Sequence, residues 1–474
     1  RRRAFFLFID PKGKGNYGEP EIFHLDVKGN ELKLMRIITP SLVTRNKRFD
    51  VIVRFEDEFG NLTNNAPADT MIDLTYEHLR ENLSWKLFVP ETGFITLPNL
   101  YFNEPGVYQI KLKNMQNEQI FYSAPIKCFA DYDISLFWGL LHGESERFNS
   151  TDDVENCLRY FRDEQALQFF ASSCFDDEEE TSAAIWKKVS QAITEFNEDD
   201  RFSTFSGFQW AGTPKEEGLR QFIYLKENRP ILRKKDIKNN ILKKIYKIIS
   251  PKDVISIPSF TMGKNTYFDF ADFNPEFERV AEIYNAWGSS EKLEKEGNAY
   301  PIQATKKGVG ETAEGSLVKA LNNNCRFGFV AGGLDDRGVY EDFYDTTQVQ
   351  YTPGLTAILT TGQSREALFQ ALYDRRCFAT TGERMLVGLF IAQQPMGSEL
   401  NTSPRPGLEY NRHIHCYAVG VKPLKEVQLI RCGKIFKTFE PQAISFEITL
   451  DDAEPLGDIV FAESKDKPAF AYYY

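Results

Sequence analysis

Hydrophobic and polar residues alternate along the first quarter of the chain. In DVIVRFED (50–57), Val51, Val53 and Phe55 fall on one face, and this period of two predicts a half-buried strand. EFGN (58–61) supplies a turn through its Gly-Asn content. GVYQIKLK (106–113) alternates again, with Tyr108, Ile110 and Leu112 opposite Val107, Gln109 and Lys111. The opening RRRAFFLFID turns polar too soon for a signal-peptide core and reads as a first strand, with a leader removed before residue 1 left open. Strands at short spacing, with no helical stretch between them, predict a β-sandwich over residues 1–130.

The period changes near residue 131. TDDVENCLRYFRDEQAL carries Val154, Cys157, Leu158 and Phe161 at helical spacing, with Thr151 or Asp152 placed to cap the helix. LQFFA (167–171) reads as a buried strand, and Trp186, Val189, Ile193 and Phe196 form the stripe of a second helix. The acidic run 176–180 fits a helix start, where carboxylates suit the N-terminal dipole. After the strand STFSGFQWAG (203–212), residues 232–249 predict a basic amphipathic helix with Ile237, Ile241, Leu242, Ile245 and Ile249 inward. The strands DVISIP (253–258), VAEIYNAW (280–287) and FGFVAGG (327–333) follow. A helix then spans 364–376, capped by Ser364, with Leu368, Ala371 and Leu372 inward. Alternating strands and helices predict a mostly parallel α/β sheet or barrel over 131–385. From 386 to 474 strands return: HIHCYAV, a hairpin in 426–439 turning at Cys432-Gly433, ISFEITL and DIVFA form a C-terminal all-β unit.

Composition narrows the function classes. The net charge of −11 repels polyanions and argues against generic nucleic-acid binding. Seven cysteines, an odd number without a CxxC pair, form neither a disulfide framework nor a zinc ribbon. No apolar run reaches the roughly 18 residues of a membrane span. Free thiols favour a cytoplasmic, reducing interior, while β-sandwich flanks also allow a secreted or periplasmic location. The basic face of 232–249 offers a surface for an anionic partner or membrane.

Candidate chemistry concentrates in DISLFWGLLHGES (133–145), where a strand delivers His142 into a Gly-flanked loop with Glu144 behind it. Sites in open α/β sheets and barrels lie at such carboxyl ends. LFWGLLHGES resembles the FWGDLH opening of a bacterial branch of the PHP (polymerase and histidinol phosphatase) metal-dependent hydrolases, which are distorted (β/α) barrels. The resemblance continues in order. GFQWAG (207–212) is similar to the branch's GYEWSG, VAEIYNAWGSSE (280–291) to VEVHSAWGSSE, and GFVAGGLDDRG (328–338) to GVVANSDGHKG. PGLTAILTTGQSREALFQALYDRRCFATTG (353–382) is similar to GLTAVYAPELTREALWDALRARRTYATTG. Flanking β units suit the same group.

This resemblance implies a cluster of His, Asp and Glu metal ligands at the strand ends, and most are replaced here. Their positions fall on Leu140, Ser172, Ser173, Gln209, Ser259, Tyr284 and Leu334, whereas His142 and Glu282 are kept and a family His becomes Asp336. Leucine cannot donate an electron pair, and Ser and Gln are weak ligands. Catalytic candidates reduce to His142 and Asp336, and a residual metal site to His142, Glu144, Glu282 and Asp336. No cofactor is therefore expected; a divalent Zn, Mn or Fe ion is the alternative. Two readings follow: a pseudoenzyme acting as a binding or structural module, with a protein partner or larger assembly, or a diverged hydrolase of phosphoester or related bonds around His142. Among weaker constellations, His413 and His415 share a strand face without an evident third ligand. Cys174 reads as a buried thiol or, with His142 as base, a nucleophile.

Overall fold

The computed structural model of the chain describes residues 2–26, 28–67, 70–77, 82–144, 151–174, 181–304, 308–333, 348–461 and 468–474. Two compact units result, Arg1–Asp131 and Tyr132–Tyr474.

In the first unit the alternating pattern becomes strand Phe49–Glu56, which buries Val51, Val53 and Phe55 completely. Leu34–Ile38 and Phe94–Leu100 pair antiparallel on either side of it. A four-stranded antiparallel sheet gives Ile72, Leu74, Ile110 and Leu112 to the same core. Asp57 fixes the turn after Glu56: its Oδ1 accepts from the backbone N–H groups of Phe59 and Asn61, both at 2.9 Å. The single strand expected over 106–113 is two. Gly106–Tyr108 pairs with Ile126–Phe129, whereas Ile110–Asn114 joins the four-stranded sheet, so the chain changes sheets at Gln109. Arg2–Leu7 and Glu21–Asp26 form a separate hairpin.

The second unit is built on β1 (Ser135–Glu144), β2 (Phe169–Ser173), β3 (Ser203–Ala211), β4 (Leu219–Tyr224), β5 (Val254–Ser259), β6 (Val280–Asn285), β7 (Gly328–Ala331), β8 (Leu355–Thr360) and β9 (Cys377–Thr380). One seven-stranded sheet has the order β5-β4-β3-β2-β1-β8-β9, and a smaller sheet centres on β6, parallel to β7. β5 runs beside β6, and β7 beside β9. The two sheets therefore share one interior, with Phe137, Phe169, Ile257, Val280, Val330 and Ile358 in a single apolar cluster.

Two expectations need correcting. The seven-stranded sheet is mixed rather than mostly parallel: β1, β2 and β3 are mutually parallel, while β4, β5, β8 and β9 run antiparallel to their neighbours. The short 212–218 connection lets β3 and β4 pair directly, without the crossover helix that parallel pairing requires. The unit is accordingly mostly β, with few and short helices. α1 (Thr151–Arg159) and α2 (Ala183–Phe196) cover the opposite sheet face, where Val154, Trp186 and Val189 meet Phe170, Phe208 and Phe222. Ser182 caps α2, accepting from Ile185 N–H at 3.2 Å. The acidic run 176–180 lies outside the described residues.

The second correction concerns the basic segment. Only α3 (Leu242–Ile248) is helical; 232–241 is a chain of turns, with Asp236 N–H on Arg233 C=O and Asn239 N–H on Asp236 C=O. Asn239-Asn240 favours turns over helix interior, and Ile241 is extended (φ −138°, ψ 147°). Leu242 and Ile245 are buried as expected, but Ile237 and Ile241 are exposed.

Helix α4 (Leu317–Asn322) precedes β7, and α5 (Arg365–Tyr373) connects β8 to β9 with Ser364 as its cap, accepting from Ala367 N–H at 3.2 Å. The strands after Leu386 fall within the second unit: Arg412–Leu424 pairs with Leu386–Ile391 and Ala443–Asp452. The hairpin turns at Cys432-Gly433, with φ of 52° and 75° respectively, as a two-residue loop between right-twisted strands requires. The described part of DIVFA forms no named strand: its start closes a short helix, Leu456–Ile459, and Phe461 makes a single bridge to Phe470. No helix among the described residues is long and apolar enough to cross a membrane.

Candidate functional site

The seven-stranded sheet delivers the sequence-predicted positions to one end. β1, β2 and β3 are parallel, so His142, the Ser172-Ser173 pair and Gln209 all approach their carboxyl ends. Gln221 lies opposite Gln209 on β4, and Ser259 opposite Leu219, bringing β4 and β5 to the same end. β6 adds Glu282 and Tyr284.

At the centre of this end, His142 Nδ1 lies 2.6 Å from Glu282 Oε2, and both side chains are buried. A carboxylate acceptor places a proton on Nδ1, and in the neutral imidazole Nε2 then holds the lone pair. Nε2 is buried and has no hydrogen-bond partner among the described residues. Glu282 Oε1 accepts from Asn285 Nδ2 at 2.8 Å, and Asn285 Oδ1 accepts from Trp287 N–H at 2.8 Å. The chain closes over this pair at Gly332-Gly333. A Cβ on Gly333 would stand 2.5 Å from His142 Nδ1 and 2.6 Å from Glu282 Oε2; on Gly332 it would stand 2.3 Å from the Leu140 side chain. Glycine is thus required there by close approach.

The serine and tyrosine side chains at the sequence-predicted positions are engaged with their own scaffold. Ser172 Oγ accepts from Gly207 N–H (2.9 Å) and donates to Gly207 C=O (3.0 Å), stitching β2 to β3. Ser173 Oγ donates to Gln221 Oε1 at 2.8 Å, and Gln221 Nε2 donates to Ser172 C=O at 2.9 Å. Ser259 Oγ donates to Ile257 C=O at 3.2 Å. Tyr284 OH donates to Thr352 C=O at 2.6 Å and its ring meets Tyr300 edge-on. Leu140 is buried in the apolar cluster under α1 and α2. Gln209 is buried, with Nε2 unpartnered among the described residues.

A divalent ion in a hydrolytic site needs about three protein ligands. His142 Nε2 suits one of them, because a ligating imidazole commonly donates its other N–H to a carboxylate. Glu282 accepts one hydrogen bond on each oxygen, from His142 and Asn285, and so orients the imidazole. No group of three His, Cys, Asp or Glu side chains comes together among the described residues. These residues do not fit a multinuclear metal centre. Asp336, Leu334 and the Glu144 side chain lie outside the described residues.

Other candidates do not join the His142–Glu282 pair. Cys174 is fully buried in the apolar cluster under α2. His413 and His415 each pair with a carboxylate of the neighbouring strand, Asp451 and Glu447, both at 2.9 Å. The hydrogen bond from His413 helps hold the Asp451 carboxyl below the usual range. At the end of β3, Gly212, Gly218 and Lys234 border a hollow of about 350 Å³. Sequence reasoning missed Asn285, Gln221 and Gly333. Gln221, a polar residue inside the apolar run LRQFIY, carried the clearest signal of a buried contact.

Comparison with known proteins places this arrangement among uncharacterised relatives. The family described as protein of unknown function (DUF3604) matches residues 323–408. An uncharacterized protein of Chlamydia pneumoniae is 53% identical over the whole chain, and one of Chlamydia trachomatis serovar D is 50% identical. The chain spans 76% of the length of each. A solved structure of PhoD aligns with 45% of this chain and 45% of its own at 9% identity, with a TM-score of 0.19. A Salmonella alpha-2-macroglobulin reacted with methylamine aligns with 95% of this chain and 22% of its own at a TM-score of 0.17. Scores this low carry no argument about fold or function.

Proposed function

The chain belongs to the same family as these uncharacterized Chlamydia proteins, and we propose that its strand-end site descends from a PHP-like metal centre and now serves as a non-catalytic binding or structural module. One observation carries this reading: the serine and tyrosine side chains at these positions are hydrogen-bonded to the scaffold itself. Ser172 is closed on Gly207, Ser173 on Gln221, and Tyr284 on Thr352. Recruiting these groups to an ion would first break hydrogen bonds in a dry interior, at a cost of roughly 1–3 kcal/mol for each group left unsatisfied. The interior end of β1 is thereby a rigid joint between the two sheets, with His142–Glu282 as its polar link.

The second reading, a residual hydrolase of phosphoester or related bonds, is favoured by the unpartnered Nε2 of His142. An assay of generic phosphoesters with added Zn, Mn or Fe separates the two. The pseudoenzyme reading predicts the same background turnover in the wild type and in His142→Ala. Turnover that is clear in the wild type and lost in both His142→Ala and Asp336→Ala would establish the hydrolase instead.

A further inference from the structure

One sheet of the second unit ends in an open strand. Its order is Gln394–Pro395, Leu386–Ile391, Arg412–Leu424 and Ala443–Asp452, so Ala443–Asp452 pairs on one side only, with Arg412–Leu424. In an antiparallel strand alternate residues direct their N–H and C=O groups to the outer side, and no described strand takes them up here. The edge is long and carries neither Pro nor Lys, residues that commonly blunt one. It alternates strictly. Ser445, Glu447, Thr449 and Asp451 lie on an exposed face, while Ile444, Phe446, Ile448 and Leu450 form a half-buried apolar row on the other.

The acidic side chains of this strand do not call for a basic partner. Glu447 lies 2.9 Å from His415, and Asp451 2.9 Å from His413. Asp452 is held by Arg412 at 3.0 Å and by Arg431 at 2.9 Å. What the edge offers is therefore backbone hydrogen bonding and an apolar row.

A second copy of the same strand fits both. Two copies related by a two-fold axis perpendicular to the sheet pair antiparallel, and each face of one continues into the same face of the other. Two such registers leave just one end residue of the strand unpaired. Centred on Glu447, the register sets that carboxylate against its own copy. Centred on Ile448, it sets no like charges opposite each other. Glu447 then meets the partner's Thr449, Asp451 meets the partner's Ser445, and Phe446 meets the partner's Leu450, with Ile448 against itself. Each apolar row is extended by its twin, which takes half-exposed apolar surface out of water.

We propose that this protein forms a two-fold dimer through Ala443–Asp452, joined as one continuous sheet with Ile448 on the axis. The surface is independent of the strand-end site.

Sedimentation equilibrium of the full chain at tens of micromolar should show a reversible dimer. Thr449→Glu sets a glutamate opposite Glu447 twice across the axis and should raise the dissociation constant at least about fivefold, whereas Thr449→Arg should leave it unchanged or lower it. Thr449 is exposed, so both variants should keep the wild-type melting temperature. Ile448→Cys should cross-link to itself under mild oxidation, because Cα atoms of directly opposite residues stand within disulfide reach. Ser445→Cys, set against Asp451, should not. A chain that stays monomeric across this range overturns the proposal. So does a dimer equally tight in Thr449→Glu and Thr449→Arg, or one in which Ile448→Cys cross-links no more than Ser445→Cys.

Discussion

Two buried glutamates stand four residues apart around β6 and have opposite surroundings. Glu278 is saturated. Its Oε1 accepts from Tyr246 OH at 2.7 Å and Arg220 Nε at 3.2 Å, and its Oε2 accepts from Asn274 N–H at 3.1 Å. Arg220 is fully buried, donates also to Leu219 C=O, and stacks 3.9 Å from the Phe268 ring. Glu282 instead meets a neutral-capable imidazole and one amide, and its partner keeps an open nitrogen. The contrast distinguishes two uses of a buried carboxylate. Where a permanent cation and several donors converge, the group holds the fold. Where a histidine converges whose other ring nitrogen is buried without a partner among the described residues, the carboxylate orients an imidazole instead.

The largest effect should come from Arg220→Ala, which strands Glu278 without its cation and should cost about 3–5 kcal/mol in urea unfolding. The double variant Arg220→Met/Glu278→Leu should recover much of that loss. Little recovery would mean that Tyr246 and Asn274 depend on the carboxylate more than on the ion pair.

At the other glutamate, Gly333→Ala should drive a methyl group into the His142–Glu282 pair, destabilising the protein by about 1–3 kcal/mol. The imidazole proton resonance shared with Glu282 should shift or vanish. An unchanged resonance would show that the cover at Gly333 yields and the pair is not clamped.

A pH titration of stability sharpens the comparison. Burial pushes the Glu278 carboxyl above its ordinary value, with the Arg220 charge opposing. The folded state then holds a proton that the unfolded state has released, so stability is full below the unfolded value and declines as pH rises through the raised folded value. Asp452 behaves oppositely. Burial pushes its carboxyl up, but hydrogen bonds from Tyr473, Arg431 and Arg412 outweigh this and hold it low. Its contribution is present above the unfolded value and is lost as pH falls through the lowered one. Urea midpoints across the acid range should therefore lose the first slope in Glu278→Gln and the second in Asp452→Asn.

The smallest effect expected is that of Ser172→Ala, about 1–2 kcal/mol, because Gly207 N–H loses its side-chain acceptor in a dry interior. A near-neutral result would weaken the view that the former ligand positions now serve the scaffold.

Strand positions with a clear period were readable from the chain alone. Val51, Val53 and Phe55, the Ser364 cap and the Cys432-Gly433 turn each express a local rule that tertiary packing does not override. The meeting of His142 and Glu282 was legible only through the order of motifs, since 140 residues separate them. Strand direction was not legible, because β3 and β4 have the apolar runs of buried parallel strands while their short connection makes them antiparallel. The basic segment misled for a physical reason: its isoleucines repeat at helical spacing, but Asn239-Asn240 turns the chain and leaves Ile237 outside. Gln221 was conspicuous as a polar residue in an apolar run, but neither it nor Asn285 carried a local pattern that named its partners, the site's serines and carboxylate.

The central claim is that the strand end no longer holds a hydrolytic metal centre. Elemental analysis of the purified full chain after equilibration with Zn, Mn or Fe and removal of loosely bound ions tests it most directly. The account predicts less than one equivalent of any of these metals, unchanged by His142→Ala. One or more equivalents of tightly held metal, lost in His142→Ala, would contradict it.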